Sequence, residues 1–301
     1  MARIIRKTAL AALCITAVGA GLVACEDDDE GFLDGLDDNP SVSKPALDGL
    51  SGTKKISIQG SSVNVACSGS RTDGKPVVVV LAGLDDDLTT TAAFRKTLST
   101  QHRVCSFDRL GQGKSAKPAG VQSLAAGGKI LTGVLDQVAG DTPVVLAGHS
   151  LGGLVAARYA PDHQDRVKGL VLLDATSPTT SGDIEKVIPA SATGQSADLR
   201  AQTAQVAKGQ NSEKLAFPDA EVRPAGDIPV EVIQHGTKYL GAFPVYGSGL
   251  EKVWAEGQRK WAGISSNSKL STAAGSAHHI YVDRADLAVK AVQRVTAQVT
   301  Q

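Results

Sequence analysis

The chain has 301 residues, of which 42% are hydrophobic and 21% charged, with 31 basic and 31 acidic side chains. That is enough chain to bury one large core or two smaller ones, and the composition excludes a polypeptide disordered throughout. Once a leader carrying Arg3, Arg6 and Lys7 is removed the charge becomes mildly acidic, which argues against nucleic acid as a partner.

Taken in chain order, those three basic residues precede an uncharged apolar stretch, Thr8 to Ala24, the layout of a secretory signal peptide over residues 1–24. Leu22-Val23-Ala24-Cys25 resembles the lipobox of bacterial lipoproteins. The resemblance implies that Cys25 is lipidated and becomes the mature N-terminus, anchored at the extracytoplasmic face of a bacterial membrane. Two or three acyl chains on one residue hold a protein stably at such a surface, whereas one does not. Glu26 to Glu30 is a run of carboxylates, and with Asp34, Asp37, Asp38 and scattered Gly, Pro and Ser it reads as a solvated tether over residues 25–54. A calcium site there lacks the ligand spacing. Cys14 leaves with the leader, so Cys67 and Cys105 remain. Outside the cytoplasm they are a disulfide candidate, with two buried free thiols as the alternative.

A folded domain is expected over residues 55–301. Lys55 to Gln59 and Ser62 to Cys67 read as a hairpin, and Pro76 to Ala82, with four consecutive valines, as a central parallel strand. Ala92 to Thr100 predicts a helix, Arg103 to Phe107 a strand, and Val121 to Val138 a helix despite Gly127, Gly128 and Gly133. Further strands are expected at Val144 to Ala147, Val167 to Leu173, Val230 to Gln234 and Lys269 to Thr272, and a last helix at Arg284 to Ala297. Strands alternating with helices imply a doubly wound, mostly parallel sheet.

Within this series Gly148-His149-Ser150-Leu151-Gly152 stands between an apolar strand pattern, Pro143 to Ala147, and a small-residue helical pattern that Pro161 ends. A G-x-S-x-G match alone is weak, but strand, sharp turn and helix in this order are the context that a serine nucleophile elbow requires. The glycines let the backbone take a strained turn with Ser150 at its tip.

The order of elements around Ser150 resembles the α/β-hydrolase family over nearly everything after the tether. Phe107-Asp108-Arg109-Leu110-Gly111-Gln112-Gly113-Lys114-Ser115, Gly169 to Asp174, and Ala277-His278-His279 are similar to its segments after the fourth strand, at the sixth strand and at the histidine loop. A secreted bacterial subgroup is similar in its paired cysteines, in Asn267-Ser268 and in the His278, Ile280, Asp283 pattern. The resemblance implies an α/β fold with a mostly parallel eight-stranded doubly wound sheet and a small cap insertion at about residues 176–227. It also implies that Cys67 and Cys105 lie on neighbouring strands and bond.

A serine hydroxyl needs a base to act as a nucleophile and a third group to orient that base. The chain order Ser, acid, His expected for this fold selects His278 or His279 out of six histidines, and the subgroup pattern favours His278. Most family members carry the acid after the strand at Val230 to Gln234, where this chain reads His235-Gly236-Thr237-Lys238. Asp174 is the expected acid, with Glu251, or no acid at all, as alternatives. The oxyanion donors are expected to be the backbone N–H groups of Leu151 and Leu84, although relatives carry His-Gly where this chain has Ala82-Gly83. Asp85, Asp86 and Asp87 are expected in solvent, because carboxylates facing an oxyanion would oppose it. Asp108 and Arg109 are expected to stabilise loops, and Gly111 and Gly113 lack a phosphate-loop context. No Cys/His cluster has metal-ligand spacing, so neither metal nor cofactor is expected. Trp254, Trp261, Tyr239, Phe243 and Tyr246 are expected to pack or to wall a pocket. The function implied is a serine hydrolase acting on small to medium acyl esters, with a peptidase or thioesterase using the same groups. The alternative is a lipoprotein of this fold that binds a ligand or partner without turnover.

Overall fold

A computed structural model describes residues 50–299. The leader over residues 1–24, Cys25 and the tether as far as residue 49 lie outside the described residues. Ten strands and eight α-helices follow, beginning with β1 (Gly52–Ile58), β2 (Ser61–Ser68), β3 (Val77–Leu81), α1 (Ala92–Leu98), β4 (Val104–Phe107), β5 (Gln122–Ser123) and α2 (Leu124–Ala139). Next come β6 (Val144–His149), α3 (Leu151–Tyr159), β7 (Val167–Leu173), α4 (Thr180–Val187), α5 (Gly194–Ala207) and β8 (Leu215–Ala216). The chain closes with β9 (Val230–His235), α6 (Gly247–Ala262), β10 (Ser268–Ala273), α7 (Ile280–Asp283) and α8 (Ala285–Val299).

Eight strands form one sheet in the order β1-β2-β4-β3-β6-β7-β9-β10. From β4 to β10 all neighbours are parallel, while β2 runs antiparallel to both β1 and β4. The valine run of β3 is explained by burial on both faces. Val77, Val79 and Leu81 pack with Leu131, Val134 and Leu154 from α2 and α3, whereas Val78 and Val80 pack with Phe94, Leu98, Ala288 and Val292 from α1 and α8. A strand covered on both sides has no polar face, so period-two alternation vanishes from its sequence. The antiparallel edge is tied to the parallel part by a disulfide between Cys67 and Cys105, which are register partners of β2 and β4.

Several boundaries differ from the sequence reading. β1 starts at Gly52, and Leu50 is already buried, so the last residues assigned to the tether belong to the folded domain. The helix expected from Val121 begins at Leu124, because Ser123 caps it through its Oγ to Ala126 N and Gln122–Ser123 pair with β8 instead. The segment after β7 contains α4 and α5, and α6 follows β9; all three helices are polar on average, which hides them from a search for apolar runs. In α6 the apolar face reduces to Leu250 and Trp261, with buried Gly257 and Gln258 between them.

Candidate active site

Ser150 sits at the tip of the turn between β6 and α3 with φ 49° and ψ −120°, a left-handed conformation strained for any side chain but glycine. Two neighbours make that turn possible. A Cβ on Gly148 would lie 2.5 Å from the Gly152 carbonyl oxygen, and one on Gly152 would lie 2.3 Å from that of Leu81. The G-x-S-x-G spacing is therefore a steric requirement of packing the elbow against β3. Ser150 N donates to Leu173 O of β7 at 3.2 Å, and its carbonyl accepts from Thr176 N at 3.0 Å, which pins the turn to the neighbouring strand end.

Asp174 leaves the end of β7, fully buried and with φ 45°. Its Oδ2 lies 2.7 Å from Nδ1 of His278, in the loop after β10. A carboxylate at that distance places the proton on Nδ1, so Nε2 of His278 is the nitrogen left to accept one. Asp174 serves more than His278. Its Oδ1 accepts from His235 N at 3.1 Å and from Trp254 Nε1 at 2.8 Å, while His235 Nδ1 lies 3.0 Å from both oxygens. Nε2 of His235 meets Glu251 Oε2 at 2.9 Å, and Glu251 Oε1 accepts from Gly241 N. A row of Glu251, His235, Asp174 and His278 results, buried at His235 and Asp174 and partly exposed at its two ends.

The charges follow from these bonds. Burial disfavours the Asp174 carboxylate, but hydrogen bonds from His235 and His278 outweigh it and hold its pKa well below the usual carboxylate range. Burial likewise opposes charge on His235, and the carboxylates on its two nitrogens reverse the effect, raising its pKa. With both ring nitrogens facing carboxylates, the imidazolium is the form that satisfies every atom.

The donor at Leu151 opens α3, where the first N–H groups of a helix lack intrahelical partners and meet the positive end of its dipole. Leu84 follows a peptide that is clamped from behind. The Gly83 carbonyl accepts from Gln112 Nε2 at 2.6 Å and Arg109 Nη2 at 3.2 Å, and Arg109 Nη1 holds Ala82 O at 2.7 Å. In a trans peptide C=O and N–H point in opposite directions, so fixing Gly83 O aims the Leu84 N–H. Arg109 is held in turn by a bidentate pair with Glu213, at 2.7 Å for each bond. Asp108 braces the same region through Leu88 N, Asn64 Nδ2 and Lys114 N.

One expectation needs correcting. Asp85 is exposed, but Asp86 turns inward: its Oδ2 accepts from Gly83 N at 3.2 Å and lies 3.4 Å from His149 Nδ1 and 3.4 Å from the Tyr281 hydroxyl. The Gly83 N–H and the Tyr281 hydroxyl supply the donors that make that position habitable for a carboxylate. Together with His279, whose Nε2 is 3.9 Å from Asp86 Oδ1, these residues form a His/His/Asp group able to hold a metal ion. The two rival histidines thus separate, His278 to Asp174 and His279 to Asp86. Glu251 meets His235, and no contact joins it to His278 among the described residues. Trp254 is a donor to Asp174, whereas Trp261 is buried and donates to Thr176 O. Sequence reasoning missed the roles of Gln112 and Glu213; the latter lies far along the chain from Arg109, and no local pattern marks it.

The family model for the alpha/beta hydrolase fold matches residues 76–219. The chain has the fold of the α/β-hydrolase superfamily. Among curated proteins it is 37% identical over 102 residues to the putative carbamate hydrolase RutD of Klebsiella pneumoniae (strain 342), a match covering 34% of this chain and 38% of that relative. The match thus spans well under half of that protein's length. Among solved structures, the enol-lactonase from Burkholderia xenovorans LB400 superimposes with a TM-score of 0.59 at 20% identity, covering 81% of this chain and 100% of that one. A thermophilic esterase from Thermogutta terrifontis gives 0.59 at 19% identity, covering 83% and 100%. At these identities the likeness is one of fold.

Proposed function

We propose that this α/β-hydrolase-fold protein is a serine hydrolase that cleaves a carboxylic ester, or a related acyl derivative, through an acyl-enzyme at Ser150. The observation that carries the reading is the 2.7 Å contact between Asp174 Oδ2 and His278 Nδ1 beside a serine held in a left-handed elbow. In this scheme His278 Nε2 takes the hydroxyl proton as Ser150 Oγ bonds to the acyl carbon. The oxygen of the tetrahedral intermediate receives the N–H groups of Leu151 and Leu84. Collapse breaks the bond to the leaving group, which takes the proton from His278, and water repeats the sequence to release the acid.

Small to medium acyl groups suit the cap best. Within the cap segment the buried members of its separate apolar cluster are Ile188 and Leu199, which pack against Leu250 of α6, little surface of the cap's own for a long chain. The relatives named for carbamate, enol-lactone and ester hydrolysis support hydrolysis of a small carboxylic derivative. Export with lipidation at Cys25 is part of the proposal, supported by the lipobox-like sequence and by a disulfide of the kind that persists in oxidising compartments. Among the described residues no helix is long and apolar enough to cross a membrane.

The test is hydrolysis of a p-nitrophenyl ester series of increasing chain length by the wild type and by Ser150→Ala, with labelling by a serine-directed phosphonate. Turnover and labelling lost together in the variant are expected. A folded wild type that neither turns over any ester nor takes the label would favour a binding role. Palmitate labelling that persists in Cys25→Ala would remove the anchor from the proposal.

A further inference from the structure

We propose that Asp86, His149 and His279 form a site for one divalent cation of borderline softness, with zinc the best fit, set immediately behind the reacting groups. The candidate ligand atoms all lie within 4.8 Å of one another. The contact between His149 Nδ1 and Asp86 Oδ2 is 3.4 Å. Two ligands bound tetrahedrally at zinc's usual ~2.0–2.1 Å stand about 3.4 Å apart, so this pair is already spaced as one edge of a tetrahedron. His279 completes the set from a loop position with 34% of its side chain exposed, which leaves it room to swing the remaining distance.

The sharper observation is the unpartnered ring nitrogen of His149. Its Nε2 lies 3.1 Å from the backbone oxygen of His278, a contact that needs a proton on Nε2. Its Nδ1 is buried and makes no hydrogen bond, yet faces the Asp86 carboxylate. A neutral ring therefore points a lone pair at an anion, or at a carbonyl oxygen if the tautomer is reversed. A cation between Nδ1 and Oδ2 satisfies both sides with the ring neutral.

The surroundings have the form of an outer ligand shell. Metal-bound histidines commonly donate their other N–H to a backbone carbonyl, and ligating carboxylates are themselves hydrogen-bonded. His149 does the first through His278 O, and Asp86 does the second through Gly83 N and the Tyr281 hydroxyl. The space between them is kept clear by a glycine: a Cβ on Gly83 would lie 2.8 Å from Asp86 Oδ2 and 2.9 Å from His149 Nδ1. Two nitrogens and a carboxylate oxygen suit zinc, cobalt(II) or nickel(II) better than magnesium or calcium. A bound ion would join the loop after β3, the elbow and the histidine loop, each ligand being one or two residues from Leu84, Ser150 or His278. This inference stands on those side chains and does not depend on turnover at Ser150.

The experiment is to strip the full chain with a chelator and titrate Zn2+ by calorimetry at neutral pH, with Co2+ substitution read by visible absorption. Wild type, Asp86→Asn and His279→Ala are compared. One ion per chain is expected, with the strong visible bands of four-coordinate Co2+, a rise in Tm on loading, and affinity at least tenfold weaker in each variant. His279→Ala, altering a partly exposed loop residue, keeps the test informative if Asp86→Asn fails to fold. No stoichiometric binding by the wild type, or equal affinity and an unchanged Co2+ spectrum in His279→Ala, would overturn the assignment, leaving the His149–Asp86 contact as a proton-shared pair.

Discussion

Replacing Asp174 with Asn probes the proposed mechanism most directly, because the structure dictates how the new side chain must sit. Oδ1 of Asp174 receives two donors with no alternative, His235 N and Trp254 Nε1, so the carboxamide oxygen has to occupy that position. The amide NH2 then stands where Oδ2 was, 2.7 Å from Nδ1 of His278. Two donors cannot face each other, so His278 moves its proton to Nε2 and can no longer accept one from Ser150. A wrong-tautomer substitution of this kind costs about 10⁴ in kcat, roughly 5 kcal/mol of transition-state stabilisation. Stability also suffers, because removing one partner of a buried ion pair costs about 3–5 kcal/mol; Glu251 still balances His235, which favours the lower end. The assay is kcat on the best p-nitrophenyl ester at neutral pH, with circular dichroism and a melting curve to establish folding and Ser150→Ala as the baseline. A folded Asp174→Asn enzyme within tenfold of the wild-type kcat would refute the assignment of Asp174 as the orienting acid.

Four further outcomes are expected. Gln112→Ala removes one of the bonds aiming the Leu84 N–H and should lower kcat about 10- to 100-fold with little change in KM, less than the ~10²–10³ for deleting an oxyanion donor outright; an equal rise in KM at constant kcat would argue against this role. Arg109→Met should cost about 3–5 kcal/mol in urea unfolding by stranding buried Glu213, and Arg109→Met with Glu213→Leu should recover much of that loss. His235 has a raised folded pKa, so its contribution is complete below about pH 6.5 and disappears as pH rises through that raised value; Asp174, with a depressed pKa, contributes above about pH 3.9 and loses this as pH falls. Tm should therefore fall on the alkaline side, and His235→Gln should flatten that fall. Cys67→Ser with Cys105→Ser should destabilise the domain by about 3–4 kcal/mol, since the bond closes a loop with a sequence separation of 38, as measured by unfolding with and without reductant.

Local physics made part of this protein legible in its sequence. The elbow around Ser150 is a local event, in which a strand, two glycines and a small-residue helix leave the turn few alternatives, and the valine run of β3 announces a strand covered on both faces. Chain order narrowed the base to two adjacent histidines. It did not show why they differ, because their partners Asp174 and Asp86 arrive on other loops. The polar helices α4, α5 and α6 escaped notice since their packing faces hold glycine, serine and glutamine as much as leucine.

Only the tertiary structure brought His235 to Asp174, through the pairing of Leu173 with Ile233 in β7 and β9, and Arg109 to Glu213 across the cap. The same holds for Asp86, His149 and His279, which come from the loop after β3, the last residue of β6 and the loop after β10. Strand periodicity and turn sterics act over a few residues and can be read along the chain. The balance of buried charge depends on which strand ends become neighbours, and that is decided when the sheet assembles.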